Sequence, residues 1–336
     1  MKTRIVIGVS LIGVVLAMAN LFAGQAQKVV NQPALAGPEL QTQPPILDAG
    51  ARLNPLKIAL LHWYLADAST VVTVGGQPYG LAFDGANIWS ANFADGTVSK
   101  VRANDGEILG TFEIGTGVEP YGVTFDGADI WVSTTLSVTK LRARDGKNLG
   151  TFPVMRAPGW MAFDGADIWV PCSVGTVFKL RASDGKTLGT FPVGLGAIAA
   201  AFDGNNVWVT NGGTNSVTKL RASDGTVVGT FTVGNGPLGI TFDGANVWVA
   251  NRPDGTVTKM RASDGTVLGT FPAPDGPYGV AFDGAYIWVT GDLYTRVLRA
   301  SDGVEVASRQ LQTTGVAFDG AHIWIAETNR NFVHKF

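Results

Sequence analysis

Residues 236–251 read GPLGITFDGANVWVAN, and the same arrangement of Phe-Asp-Gly and tryptophan recurs along most of the chain. The tryptophan comes six residues after the phenylalanine, and successive copies lie about 40 residues apart. The phenylalanines are Phe83, Phe125, Phe163, Phe202, Phe242, Phe282 and Phe318. The tryptophans are Trp89, Trp131, Trp169, Trp208, Trp248, Trp288 and Trp324. A fixed period of this length is typical of repeat folds, in which each copy forms one structural unit.

Each copy predicts four short β-strands. In the copy over residues 236–275, the predicted strands are 238–242, 246–251, 256–261 and 266–271. Asp-Gly pairs follow the first and third strands, and they favour tight turns because glycine readily adopts a positive φ. Four strands per repeat are typical of a propeller blade. Seven copies therefore predict an all-β, seven-bladed β-propeller of four-stranded blades over residues 70–336.

The two ends of this region predict how the ring closes. The last copy supplies only three strands, at 315–318, 322–326 and 332–336. Residues 70–74, which precede the first copy, resemble the missing fourth strand. Pairing the two would close the ring and cover exposed sheet edges. We therefore expect the N-terminal strand to complete the last blade.

Three segments precede the predicted propeller. Residues 1–26 indicate an export signal, with Lys2 and Arg4 before an apolar run and small residues at its end. A retained membrane anchor is the alternative, because the run approaches the length that spans a bilayer. Residues 27–53 are rich in Pro, Gln, Ala and Gly and predict a linker. Residues 54–66 begin with Asn-Pro and predict a short apolar helix that covers the propeller as a lid or plug.

Composition limits the classes of partner. The chain has 336 residues, of which 46% are hydrophobic and 15% charged, with a net charge of −2. Since no basic field attracts phosphates, we expect no nucleic-acid partner. We expect a secreted or periplasmic monomer, with no membrane contact after signal cleavage and no cofactor. The single Cys172 cannot form an internal disulfide and is predicted to be a packed residue.

The repeated residues are interpreted as structural. A tryptophan in mid-strand fills the space between neighbouring blades, although ligand stacking is an alternative. The repeated aspartates could be read as calcium ligands, but Asp-Gly is also what a tight turn requires. The arginines that recur with these turns are expected to pair with the aspartates: Arg181, Arg221, Arg261 and Arg299. We therefore predict no metal site in the repeat.

The second strands of several copies resemble a known repeat. Residues 208–211 read Trp-Val-Thr-Asn and residues 248–251 read Trp-Val-Ala-Asn, which is similar to YVTN-type propeller repeats. The wider unit at 236–248 resembles blades of NHL proteins and of streptogramin B lyases. The resemblance covers about residues 70–336 and implies a propeller fold.

The lyase resemblance also implies a histidine base and acidic residues that hold Mg²⁺ over the central channel. This chain has three histidines, His62, His322 and His334, and none lies in a segment leading into an inner strand. No catalytic residue is therefore assigned. The Leu-Arg-Ala-Ser-Asp-Gly unit also resembles quinoprotein repeats, but the tryptophan that joins those blades is absent here.

The connections that vary between copies predict where ligands bind. In an antiparallel blade alternate connections share a face, so the Asp-Gly turns form a constant face and the other connections form a variable face. Trp160 stands where the other copies have Gly or Ala, and it could either stack on a ligand or fill a packing gap. The candidate ligand-binding residues are Trp160, Tyr79, Tyr121, Tyr278, Glu119, Asp275, Arg252, Asp292, Tyr294, Glu327 and Arg330.

Together these features favour an exported binding or scaffold module for a peptide, a protein or a small amphipathic ligand. The alternative is a lyase- or hydrolase-like enzyme with a divalent metal at the channel. Only Glu119, Asp275 and Glu327 are candidates for holding such a metal.

Overall fold

The computed structural model describes residues 70–115 and 117–336, which form seven four-stranded antiparallel sheets. The predicted export signal (1–26), linker (27–53) and helix (54–66) lie outside the described residues. Among the described residues, no helix is long and apolar enough to cross a membrane. The predicted all-β, seven-bladed propeller is confirmed.

Blades 1 to 6 each use four consecutive strands, whose first member is the inner strand. The strands of blades 1 to 3 are β2 (Pro78–Phe83), β3 (Asn87–Asn92), β4 (Thr97–Arg102), β5 (Ile108–Glu113), β6 (Val123–Phe125), β7 (Asp129–Ser133), β8 (Ser137–Arg142), β9 (Asn148–Pro153), β10 (Ala162–Phe163), β11 (Asp167–Cys172), β12 (Thr176–Arg181) and β13 (Thr187–Pro192). The strands of blades 4 to 6 are β14 (Ala197–Phe202), β15 (Asn206–Asn211), β16 (Ser216–Arg221), β17 (Val227–Thr232), β18 (Pro237–Phe242), β19 (Asn246–Asn251), β20 (Thr256–Arg261), β21 (Val267–Pro272), β22 (Pro277–Phe282), β23 (Tyr286–Gly291), β24 (Tyr294–Arg299) and β25 (Glu305–Gln310).

Blade 7 joins the two ends of the propeller. It contains β26 (Val316–Phe318), β27 (Ile323–Glu327), β28 (Phe332–Lys335) and, as its outer strand, β1 (Thr70–Thr73). The pairing of β1 with β28 is antiparallel, with Thr70 opposite Lys335 and Thr73 opposite Phe332. The predicted closure by an N-terminal strand is therefore confirmed.

The motif tryptophan and the motif aspartate form one hydrogen-bonded unit in every blade. In blade 5 the buried indole of Trp248 donates to Asp243 Oδ2 at 2.7 Å, while Asp243 Oδ1 accepts the backbone N–H of Ala245 and Asn246. Burial alone would raise the pKa of Asp243, but these hydrogen bonds outweigh it and hold that pKa below its ordinary value. The repeated aspartate therefore fixes the turn and orients the tryptophan.

A lysine in the third strand connects neighbouring blades. In blade 4 the ammonium of Lys219 donates to Ala262 O of blade 5 at 2.6 Å and lies 4.9 Å from the ring centroid of Trp208. The equivalent lysines, each bonded to an alanine carbonyl of the next blade, are Lys100, Lys140, Lys179, Lys259 and Lys335. These hydrogen bonds connect adjacent blades, so each blade contributes to the stability of its neighbour.

Blade 6 lacks this lysine, and blade 7 lacks the turn after the third strand that supplies the alanine carbonyl in the other blades. The strand β1 supplies the outer edge of blade 7, so no hairpin follows β28. At the lysine position blade 6 has the buried Val297, opposite Trp288. Phe336 packs on Trp288 at a centroid distance of 6.2 Å. At the level of Trp288, the contact between blades 6 and 7 is therefore apolar.

Candidate functional site

The inner strands line a central channel and approach one another closely. A side chain at Gly80 would overlap the carbonyl of Tyr121, and one at Gly239 would overlap the carbonyl of Tyr278. In these two blades the neighbouring blade therefore requires glycine at this position.

In blade 3, Trp160 occupies the position equivalent to Gly80. A side chain fits there because the close contact with the next blade falls one residue earlier, at Gly159. There Gly159, rather than residue 160, faces the carbonyl of Ile198 so closely that no side chain would fit. Trp160 N–H donates to Ile198 O at 2.8 Å, and Trp160 O accepts Ala200 N–H at 2.9 Å. This pairing with blade 4 fixes the backbone and directs a partly exposed indole into the channel lining.

Five aromatic rings meet at the channel mouth, and we call them the aromatic cap: Tyr79, Phe93, Tyr121, Trp160 and Tyr278. Trp160 and Tyr278 are 5.4 Å apart and nearly perpendicular, and Tyr278 is 6.2 Å from Tyr79. Phe93 contacts Tyr79 at 5.4 Å and Tyr121 at 5.1 Å. Because blades 3 and 6 lie on opposite sides of the ring, the Trp160–Tyr278 contact crosses the channel. All five side chains are partly exposed, so they offer an accessible aromatic surface.

A cavity of about 170 Å³ lies at Trp160 within the channel. All seven blades contribute to its lining, and the main aliphatic contributors are Leu81, Val123, Met161, Ala200, Ile240, Val280 and Val316. The cap therefore stands at one end of a channel with a largely aliphatic side-chain lining.

The three phenols of the cap are neutral hydrogen-bonding groups. Burial raises the pKa of Tyr79 and of Tyr278, and it raises the pKa of Tyr121 with a further contribution from the neighbouring Glu119. The hydroxyl of Tyr121 donates to Glu119 Oε2 at 3.2 Å. At neutral pH the cap thus combines apolar rings with hydroxyl donors.

An ion pair borders the cap between blades 5 and 6. Arg252 Nη2 donates to both carboxylate oxygens of Asp292, at 3.0 and 2.9 Å. The guanidinium also lies 5.4 Å from the ring centroid of Tyr278. Arg252 and Asp292, both predicted from their variable positions, therefore belong to the same site as the aromatic rings.

Two other predicted residues, Asp275 and Tyr294, contact Arg296. Asp275 accepts from Arg296 Nη2 at 2.9 Å, and the ring of Tyr294 lies 5.2 Å from the Arg296 guanidinium carbon. Arg296 also donates to Glu305 at 2.8 Å. These contacts join β24, β25 and the connection that enters blade 6.

The last two predicted residues lie in blade 7. Glu327 is 3% exposed and contacts His334 Nε2 at 2.7 Å, while Arg330 Nε approaches the same carboxylate at 3.5 Å. Among the described residues, His334 Nδ1 is buried without a hydrogen-bond partner. Burial lowers the pKa of His334, and the hydrogen bond to Glu327 opposes this effect.

The three carboxylates considered as metal ligands do not share a site, because Glu119, Asp275 and Glu327 contact Tyr121, Arg296 and His334, respectively. Within residues 70–115 and 117–336, no three His, Cys, Asp or Glu side chains are grouped so as to hold a metal ion. Cys172 is fully buried, and burial raises its pKa to about 12.

Four residues of these clusters were not predicted as site residues: Phe93, Arg296, Glu305 and His334. Phe93 had a visible signal, because it is the aromatic residue at a loop position where blades 4 to 6 have Gly212, Arg252 and Asp292. Arg296 and His334 occupy a strand position where blades 4 and 5 carry threonine, which the sequence also shows. Their partners were visible only once the blades were assembled.

The described residues thus form a seven-bladed propeller with an aromatic site at the channel mouth. No protein-family model matches the chain, and no curated protein matches it. Among solved structures, the propeller is similar to a catalytically inactive variant of virginiamycin B lyase from Staphylococcus aureus with quinupristin. The TM-score is 0.68 at 19% identity, over 80% of this chain and 98% of the lyase.

A second structure, a streptogramin B lyase, gives the same TM-score and identity, with 80% of this chain and 96% of that chain covered. The expected resemblance to streptogramin B lyase propellers is confirmed for the fold. At this level of identity the likeness concerns the fold alone.

Proposed function

We propose that the protein is a binding module whose site is the aromatic cap and the polar groups beside it. The rings of the cap offer apolar contact, and the phenol hydroxyls offer hydrogen bonds. The Arg252–Asp292 pair adds charged groups at the edge. This combination suits an amphipathic ligand, such as a peptide segment, a protein loop or a small molecule with an aromatic group.

The contact between Trp160 and Tyr278 is the observation that carries this proposal. Neither residue belongs to the Phe-Asp-Gly…Trp motif, and their rings meet from opposite blades at 5.4 Å. Both rings remain partly exposed, so part of each is available to contact a ligand. Exposed aromatic residues on a rigid scaffold are a common anchor for ligands.

We also propose that this module works outside the cytoplasm. The support is the sequence of residues 1–26, with its basic start, apolar run and small residues. Mass spectrometry of the protein from the exporting cell would locate the N-terminus. A chain that retained residue 2 in the cytosolic fraction would refute export.

The binding proposal is tested with an amphipathic aromatic probe, anilinonaphthalene sulfonate, followed by its fluorescence. We expect Trp160→Ala to weaken probe binding by about tenfold or more, because truncating an aromatic anchor costs at least about 1.4 kcal/mol. The matched control is Tyr294→Ala, which removes a variable-face aromatic residue that contacts Arg296 rather than the cap.

Thermal unfolding of both variants shows whether the propeller is intact. Equal probe binding by the wild-type protein and a folded Trp160→Ala variant would overturn the proposal. A Tyr278→Phe variant keeps the ring and removes the hydroxyl, so its retained binding would assign the affinity to the aromatic surface.

A second candidate is a lyase- or hydrolase-like enzyme with a divalent metal at the channel, which the similarity to lyase propellers favours. It would require Glu119, Asp275 or Glu327 to release its present partner and face the channel. Calorimetric titration with Mg²⁺ and Ca²⁺ tests this candidate. Binding that Glu119→Gln abolishes would support it, and no heat above dilution would remove its basis.

A further inference from the structure

The outer edge of blade 1 exposes aliphatic side chains next to the point where the described chain begins. Ile108 and Leu109 open the strand β5 and are 44% and 40% exposed. Ile108 is paired with Val101, whose side chain packs with Val72 and Trp324 of blade 7. Ile108 therefore lies on the side of blade 1 that faces blade 7.

Thr70, the first described residue, reaches the same place. Its methyl group lies against Gly106, in the turn that leads into β5, so closely that an added side chain at Gly106 would meet it at 2.8 Å. Ile108 is two residues beyond this glycine. The chain thus enters the propeller beside the exposed apolar edge of blade 1.

The residues just before this entry are strongly apolar. Residues 54–66 read NPLKIALLHWYLA, and three residues separate them from Thr70. Three residues span roughly 10 Å at most when extended, so the apolar segment can reach the edge of blade 1. Leaving so many aliphatic and aromatic side chains in water would be unfavourable.

We propose that residues 54–66 dock through their apolar side chains on the outer edge of blade 1, against Ile108 and Leu109. The edge of each blade carries exposed aliphatic residues, but the edge of blade 1 adjoins Thr70. Blade 1 also has isoleucine where the edges of blades 2, 3 and 6 have Asn148, Thr187 and Glu305. The segment would thereby cover an apolar edge that is otherwise in contact with solvent.

Limited proteolysis of the full chain with trypsin tests this docking. Lys57 lies inside the segment, and Arg52 lies just before it and serves as an internal reference. We expect cleavage after Lys57 to be slower than cleavage after Arg52 in the wild-type protein. Ile108→Asp should raise the rate after Lys57 by about tenfold, since the carboxylate opposes apolar contact.

The matched control is Val267→Asp, at the equivalent edge position of blade 5, which is 47% exposed. This variant should leave the Lys57 cleavage rate unchanged. Leu61→Asp, within the segment, should reproduce the effect of Ile108→Asp and does not alter the propeller itself.

Equal rates after Lys57 in the wild-type, Ile108→Asp and Val267→Asp proteins would overturn the proposal. Protection of Lys57 that rises with protein concentration would overturn it too, because the segment would then dock on another copy. Circular dichroism of each variant confirms that the propeller is folded.

Discussion

Replacing Lys219 by methionine should destabilise the propeller, because this lysine joins blades 4 and 5. The side chain is buried, its ammonium donates to Ala262 O at 2.6 Å, and it lies 4.9 Å from the Trp208 ring. Methionine retains an unbranched apolar chain, so the change removes the charge and the donor while leaving most of the packing.

The expected loss follows from two interactions. A hydrogen bond with a charged partner contributes about 1.5–3 kcal/mol, and a desolvated cation–π contact contributes up to about 2 kcal/mol. The apolar contacts of methionine offset part of the sum, so we expect a loss of about 2–4 kcal/mol. At about 2 °C per kcal/mol for a chain of this size, the melting temperature should fall by roughly 4–8 °C.

Urea unfolding followed by tryptophan fluorescence measures this loss in the Lys219→Met variant. The control is Lys186→Met, at an exposed turn lysine, where the change should stay within about 0.5 kcal/mol. Equal stabilities of the two variants would refute the assignment of the repeated lysine as a bond between blades.

Two further predictions concern the contact between blades 6 and 7 and the interior of blade 7. Val297→Lys should lower the free energy of unfolding by about 3–5 kcal/mol in urea unfolding, because an ammonium there has no turn carbonyl to bind and stays buried beside Trp288; a neutral result would show an unrecognised acceptor. The pKa of His334 is lowered, so the folded protein favours the neutral imidazole. The stability that this neutral imidazole contributes is therefore complete above the ordinary pKa of 6.5 and is lost as the pH falls below that value. Arg309 and Arg330 add to the lowering and Glu327 opposes it. The comparison is a double variant, Glu327→Asn with His334→Thr, which copies the Asn–Thr hydrogen bond of blade 5. Between pH 7.5 and about 5, the melting temperature of the wild-type protein should fall more steeply than that of the double variant. Parallel curves of melting temperature against pH would contradict this.

The number and closure of the blades could be predicted because their signals are local. Every copy carries its own Phe-Asp-Gly turn and tryptophan, and the missing fourth strand of the last copy has its counterpart at residues 70–74. A β-strand and a tight turn depend mainly on neighbouring residues, so each of the seven copies independently predicts the same strands and turns.

The substitution at Trp160 was also visible in the sequence, but its cause was not. Only the assembled ring shows that Gly159 takes over the close approach to Ile198 and so leaves space for the indole. The sequence also left Phe93 unassigned, although it contacts both Tyr79 and Tyr121.

The sequence by itself determined the repeat, the strand order and the constant and variable faces. The tertiary structure decided which variable residues act together: Trp160 with Tyr278 across the channel, and Arg252 with Asp292 beside it, whereas Glu327 is buried with His334. The physical reason is that these contacts join different blades or strands, and their distances depend on how seven separately encoded sheets close around one axis.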